Sequence, residues 1–449
     1  MKQKLSVGKI AVLGFALFAM FFGAGNLILP PALGTNCGNN WFFGFLMYIL
    51  VDAGLSVVAL LAFVKAKGGF AHEVARQLTP RSAFWLTFLN TLCLGPLIAI
   101  PRTAATTFDI ALKPLLGTPA AWVSWVFGAV YFGVVALLCL RPGKVVDIIG
   151  KILSPLMLAA LLVLIVIGVV HPLGSVSPGA PLGAALSQGL RSGYQTMDML
   201  GAVLLGVIAL LSVKEAGITD TKQQMTAVGL GGVLAGLGLF TVYGGLSYLG
   251  ATVSGDEAMR ALARADRPGL LIRITDALVG SYGRLLLGVI VAAACLTTAI
   301  GLVSACSQNF KEITDGRLPY RPTMFAVIGI SYLLSNLGTE MILNIAAPVL
   351  NVIFPIYIML VFLSFLPEQI RTRTYAAPFG ATLALVVTVL TELELLLPTF
   401  RVYADRLPLA EYGLGWLIPA VTAAAFGGIV GAFFPRKARQ GQSLMRSGG

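Results

Sequence analysis

Two short polar clusters interrupt long apolar runs, and they hold the residues best able to do chemistry. The first is Gly23-Ala24-Gly25-Asn26, followed by Pro30 and Pro31, within AMFFGAGNLILPPALG at 19–34. The second is Ser192-Gly193-Tyr194-Gln195-Thr196-Met197-Asp198. In hydrocarbon an unpaired backbone N–H or C=O costs several kcal/mol, so broken helices persist only where they are buried in protein or line a cavity. Freed N–H groups at the start of a half-helix suit a carboxylate, and freed carbonyls suit a hard monovalent cation. The spacing therefore points to a site for a zwitterion and a cation built largely on backbone. Span 1 taken alone has a plainer alternative, a glycine packing notch with a proline kink.

Other polar side chains in apolar runs are functional candidates by default. Asp198 follows the second break directly, and three roles stay open: ammonium partner, cation ligand, or N-cap of the following half-helix. Asp52 lies well inside the second apolar run with no partner evident in sequence. Arg102 and Asp109 share one face of the third, where they either pair or serve structural and gating roles. Ala294-Cys295-Leu296-Thr297-Thr298 places two adjacent hydroxyls deep in an apolar helix. A threonine there also bonds back to a carbonyl one turn earlier, so both readings stand.

The elements that must position these residues are membrane spans. Of the 449 residues 57% are hydrophobic and 11% charged, and mean hydropathy is +0.89. Such a composition excludes a soluble globular domain. Apolar runs long enough to cross ~30 Å of hydrocarbon number twelve. They lie at roughly 8–34, 41–64, 83–112, 121–140, 145–170, 184–213, 225–250, 284–309, 322–337, 340–366, 375–397 and 412–434. The N-terminal run is read as an uncleaved first span and not a signal peptide, because more membrane follows it.

Lysine and arginine concentrate in the tails and alternate loops, for example Lys65, Arg76, Arg81, Lys214, Lys311, Arg371 and Arg436. The positive-inside rule then puts both termini in the cytoplasm. It also accounts for the net charge of +12 without a nucleic-acid partner. The longest extramembrane piece is about 251–283, where Arg267–Val279 is expected to form a short helix over the outer face. The five cysteines and two histidines show no ligand spacing, which makes a metal-centred enzyme a poor reading. Each polar cluster sits in the first span of a five-span set, and the two sets start on opposite sides. Paired interruptions of that kind are the best sequence pointer to a transporter site.

The strings GFALFAMFFGAGNLILPP, GPLIAIPRTAATTFDIAL at 95–112 and SGYQTMDML at 192–200 resemble the branched-chain amino acid carrier family. Its members are bacterial cation symporters for leucine, isoleucine and valine, within the amino acid–polyamine–cation superfamily. The resemblance covers essentially the whole chain. It implies an all-α membrane protein of twelve transmembrane helices with broken helices 1 and 6. A single domain over 1–449 would hold inverted five-helix repeats at 8–170 and 184–366 and two accessory helices at 375–434. The implied substrate site comprises Gly23, Ala24, Gly25, Asn26, Gly193, Tyr194, Gln195, Thr196 and Asp198. A sodium ion is implied on the carbonyls of Ala19, Phe22 and Ala294 and the hydroxyls of Thr297 and Thr298. Asn26 aligns with an asparagine that in some members coordinates a second sodium.

The expected activity is uptake of leucine, isoleucine or valine coupled to sodium entry, across a bacterial inner membrane. A proton-coupled symporter using Asp198 or Asp52 is the nearest rival. An enzyme would need a convergent nucleophile, acid or metal set, and a channel would need a filter-like string. The sequence supplies neither.

Overall fold

The structure is a computed structural model that describes residues 7–66, 70–140, 154–215, 218, 220–392 and 406–436. The start of the fifth expected span and the end of the eleventh lie outside the described residues. Among those described, regular structure is helical, with a single isolated bridge between Gly38 and Pro178.

The first apolar run forms two helices, α1 (Val7–Phe21) and α2 (Ala24–Cys37). Then come α3 (Trp41–Lys65), α4 (Phe70–Gln77), α5 (Pro80–Leu116), α6 (Ala121–Leu140) and α7 (Ser154–Val170). The sixth run is also divided, into α8 (Leu182–Thr196) and α9 (Asp198–Glu215). After it follow α10 (Thr221–Thr252), α11 (Glu257–Ala265), α12 (Arg267–Ile313), α13 (Tyr320–Ser335) and α14 (Thr339–Leu363). The chain closes with α15 (Glu368–Arg373), α16 (Ala376–Glu392) and α17 (Leu417–Phe433). Six of these, α3, α5, α6, α10, α12 and α14, are long and apolar enough to cross a membrane unaided. The expected surface helix at Arg267–Val279 forms as the first part of α12, and a kink at Gly280 (φ 70°) separates it from the rest.

Apolar side chains lie on the outside as well as in the core. On α6, Trp122, Val130 and Leu137 are exposed while Tyr131, Val135 and Cys139 are buried. Water would punish that arrangement, but lipid makes it neutral.

Without a hydrophobic drive between helices, close packing falls to glycine. A Cβ on Gly34 would lie 1.8 Å from the Ser247 carbonyl oxygen, and one on Gly250 would lie 1.9 Å from that of Pro31. So α2 and α10 meet backbone to backbone, and Thr35 Oγ1 donates across the seam to Gly250 O at 2.9 Å. Lower down, Gly231 and Gly238 receive Leu13 and Phe18 of α1. One long helix thus braces both halves of the broken first span.

Among the described residues, π turns interrupt the ladders at Leu50–Gly54 in α3 and at Cys93–Leu97 and Phe108–Leu112 in α5. Such bulges often mark functional positions, because the extra residue redirects its neighbours. The first carries Asp52. The second contains Pro96 and the non-helical Gly95, and it lies just ahead of Arg102 on α5.

Candidate functional site

Both breaks exist, each displaced by a residue or so from its expected place. In span 1 the helix stops at Phe21, Gly23 is extended (φ −125°, ψ −175°), and Ala24, Gly25 and Asn26 already form the first turn of α2. In span 6, Gly193, Tyr194, Gln195 and Thr196 remain helical, and the turn is made by Met197 in the left-handed region (φ 66°). The reason is packing. A Cβ on Gly193 would lie 2.7 Å from Val51 Cγ1 and 3.2 Å from the Tyr48 carbonyl oxygen, so this glycine serves the α8–α3 contact and not a turn.

Asn26 ties the two breaks together. Its Nδ2 lies 2.7 Å from Phe21 O, 2.7 Å from Asp198 Oδ2 and 2.6 Å from the Tyr243 hydroxyl. One side chain therefore closes the open carbonyl end of α1, reaches the first turn of α9 and anchors both to α10. An amide nitrogen carries two protons, so three acceptors around it make the spot rich in acceptors.

Asp52 adds to that excess. It is fully buried, neither of its oxygens accepts a hydrogen bond of good geometry, and Asp198 and Thr196 are its polar neighbours. The Tyr48 hydroxyl, also buried and unpartnered, belongs to the same cluster, and its ring packs edge-on against Tyr243 at 5.6 Å.

Arg102 enters from α5. Only 5% of it is exposed. Its Nη1 donates to Gln195 O at 2.6 Å and its Nη2 to Thr196 O at 3.4 Å, at the carbonyl end of α8. A Cβ on Gly25 would lie 2.9–3.0 Å from the guanidinium, so the cation sits directly on the start of α2. Arg102 does not pair with Asp109. That carboxylate accepts from Thr339 N at 3.3 Å and lies 4.0 Å from Lys113 Nζ.

Two of the expected site residues make contacts beyond the polar cluster. Tyr194 does not join the polar cluster: its ring stacks on Phe354 of α14 at 4.6 Å, which makes it a packing contact. Gln195 divides its roles. Its carbonyl receives Arg102, and its side-chain oxygen receives Arg267 Nη1 at 3.4 Å.

The threonine pair of α12 bonds back along its own helix. Thr297 Oγ1 donates to Ala294 O at 2.8 Å and Thr298 Oγ1 to the same oxygen at 2.9 Å. Yet Thr298 also faces the first break, with Oγ1 3.9 Å from the point where a Gly23 Cβ would stand. Ala294, Thr298 and the Phe22–Gly23 break are thereby neighbours, and Ala19 lies less than a turn earlier on α1.

Above this cluster a cavity of about 610 Å³ opens between α2, α8, α11 and the segment 178–180. Leu29, Ala32 and Leu33 form an apolar wall, while Gln195, Arg191, Arg264 and Arg267 line it with polar groups. Gln195 borders this cavity and also touches Arg102, so the vestibule and the polar cluster are adjacent.

Sequence reasoning missed Tyr48 and Tyr243 as members of the cluster. Each is a lone tyrosine in an apolar helix, with no spacing that sets it apart from packing tyrosines.

The chain from 6 to 434 matches the family model described as branched-chain amino acid transport protein. It is 33% identical over 442 residues to the branched-chain amino acid permease BrnQ of Bacillus subtilis (strain 168), covering 96% of this chain and 99% of that one. The permease BraB of the same organism is 33% identical over 440 residues, covering 96% and 98%. Among solved structures it is similar to the inward-facing conformation of Mhp1 (TM-score 0.60, 15% identity, 98% of this chain and 95% of that one). It is also similar to a substrate-bound, outward-open sodium-coupled sialic acid symporter (TM-score 0.59, 15% identity, 96% and 91%). At such identities these two structures speak for the fold alone.

Proposed function

The chain belongs to the branched-chain amino acid transport protein family, and on that premise we propose that it carries leucine, isoleucine and valine by sodium symport with alternating access. As a multi-pass membrane transporter it is not an enzyme. The observation that carries the reading is the meeting of the two breaks, Asn26 Nδ2 to Asp198 Oδ2 at 2.7 Å. Two half-helices there offer N–H groups and two others offer carbonyls, which is what a zwitterion requires.

In this proposal Gly23, Ala24, Gly25 and Asn26 receive the substrate's polar end, with Gln195, Thr196 and Asp198 opposite. Sodium takes the carbonyls of Ala19, Phe22 and Ala294 with the hydroxyls of Thr297 and Thr298. What supports it is that Thr298 faces Gly23, its side chain 3.8–3.9 Å from where a Cβ on that glycine would stand, because ion and substrate then share one hinge. Each sodium moving inward through 100 mV releases about 2.3 kcal/mol. At about 1.4 kcal/mol per decade, that drives roughly fifty-fold accumulation. The twelve spans, their inverted five-helix halves and the cytoplasmic placement of both termini in a bacterial inner membrane belong to the same proposal.

A second reading, proton coupling, is favoured by one observation: the unpartnered Asp52 carboxylate beside Asp198. The two are separated by leucine uptake into liposomes holding purified protein, first under an imposed sodium gradient and then under a pH gradient alone. Uptake only in the second case overturns the sodium assignment.

A further inference from the structure

Arg102 is a buried cation with part of its donor set unused. The side-on edge of a guanidinium, formed by Nε–H and the neighbouring Nη2–H, matches the two oxygens of a carboxylate. In Arg102 that edge is only weakly paired. Nε has no partner although the residue is 95% enclosed, and Nη2 makes only the long contact of 3.4 Å to Thr196 O. The group lies against Gly25, in the first turn of the 14-residue α2. There the helix carries its positive partial charge and N–H groups without intrahelical acceptors. Two positive groups thus converge at one enclosed point. The acidic side chain in electrostatic reach, Asp198, already gives an oxygen to Asn26.

We propose that the missing anion is the α-carboxylate of the transported amino acid, held bidentately by Arg102 Nε and Nη2 beside the first turn of α2. This rests on the transport reading and deepens it by assigning the residue that recognises the acid group. Binding gives up the weak Nη2 contact and keeps the strong Nη1 bond to Gln195 O. The carbonyl of Thr196, at the negative end of α8, is then free for the α-ammonium. A substrate without a carboxylate leaves the two positive groups facing each other and is rejected on that ground. Arg102 therefore sets specificity for amino acids over the corresponding amides and amines.

The test compares wild type, R102Q and R102K in proteoliposomes under an inward sodium gradient, measuring leucine uptake and its inhibition by leucinamide, which lacks the acid group. Losing a bidentate charged contact raises the leucine KM by roughly ten- to hundredfold. Inhibition by leucinamide, weak in the wild type, stays the same in R102Q. R102K keeps the charge but not the fork, so its KM stays elevated as well. A wild-type KM in either variant overturns the assignment, as does an equal loss of affinity for leucine and leucinamide, which marks a merely structural arginine. If R102Q does not fold, R102K carries the same two outcomes. Absence of leucine uptake by the wild type counts against the transport reading instead.

Discussion

Asp52 and Asp198 come side by side from two separate irregularities, a π turn in α3 and the first turn after the left-handed Met197. Asp198 is held by Asn26, whereas Asp52 accepts no hydrogen bond of good geometry. Uncompensated charge in such a place costs several kcal/mol, so the pair calls for a cation or a shared proton. If sodium binds at α12 as proposed, Asp52→Asn keeps sodium-driven uptake and raises thermal stability in detergent. Loss of uptake in that variant, with an acid-outside gradient driving the wild type, would instead make Asp52 the coupling group.

Thr298 faces the first break, and its hydroxyl, now on Ala294 O, is free to rotate toward an ion there. Thr298→Val keeps the shape and removes that oxygen. The sodium concentration for half-maximal uptake should rise at least about tenfold, the scale of a lost contact to a charged group. An unchanged sodium dependence, measured by flux titration, removes α12 from the ion site.

Gly25 has no room for a methyl group. In Gly25→Ala the added Cβ meets the Arg102 guanidinium at 2.9–3.0 Å, so the cation must shift from its place over α2. Leucine uptake should fall sharply while the melting temperature changes little, since the far end of a side chain gives way and not backbone. A large drop in melting temperature would mean that the site cannot relax.

Gly34 is the opposite case. Its Cβ would stand 1.8 Å from a carbonyl oxygen of α10, and neither backbone can yield. Gly34→Ala should destabilise the protein by more than the ~1–3 kcal/mol typical of an overpacked core, read as a lowered melting temperature. Retained stability would show that α2 and α10 are free to separate.

On the face that carries the basic loops, Glu73 of α4 is buried and pairs with Arg371 just ahead of α16, while Gln77 Nε2 also donates to it at 3.1 Å. Removing one partner of a buried pair costs about 3–5 kcal/mol. Arg371→Ala should therefore lower the melting temperature strongly, and adding Glu73→Gln should recover part of the loss. Additive losses in the double variant would show the pair to be uncoupled.

Hydropathy placed the helices well because each must match the hydrocarbon thickness. The run expected at 121–140 is Ala121–Leu140, and that at 41–64 is Trp41–Lys65. It placed the breaks less well. A glycine permits a turn but equally permits a close contact, and the sequence cannot distinguish Gly23, which is extended, from Gly193, which stays helical against Val51. Met197 carries a left-handed backbone that its residue type gives no hint of.

What the sequence determined by itself is local: which segments prefer lipid, where polar backbone interrupts them, and which family motifs they carry. Those properties follow from residue type and spacing along one helix. What only the tertiary structure decided is which polar groups find partners. Asn26 Nδ2 reaches acceptors on three different helices, and neither oxygen of Asp52 accepts a hydrogen bond of good geometry. Arg102 turns to the end of α8 and leaves Asp109, its neighbour on α5, to Thr339. A buried charge is governed by the few groups within hydrogen-bonding reach, and here those come from segments far apart in the chain.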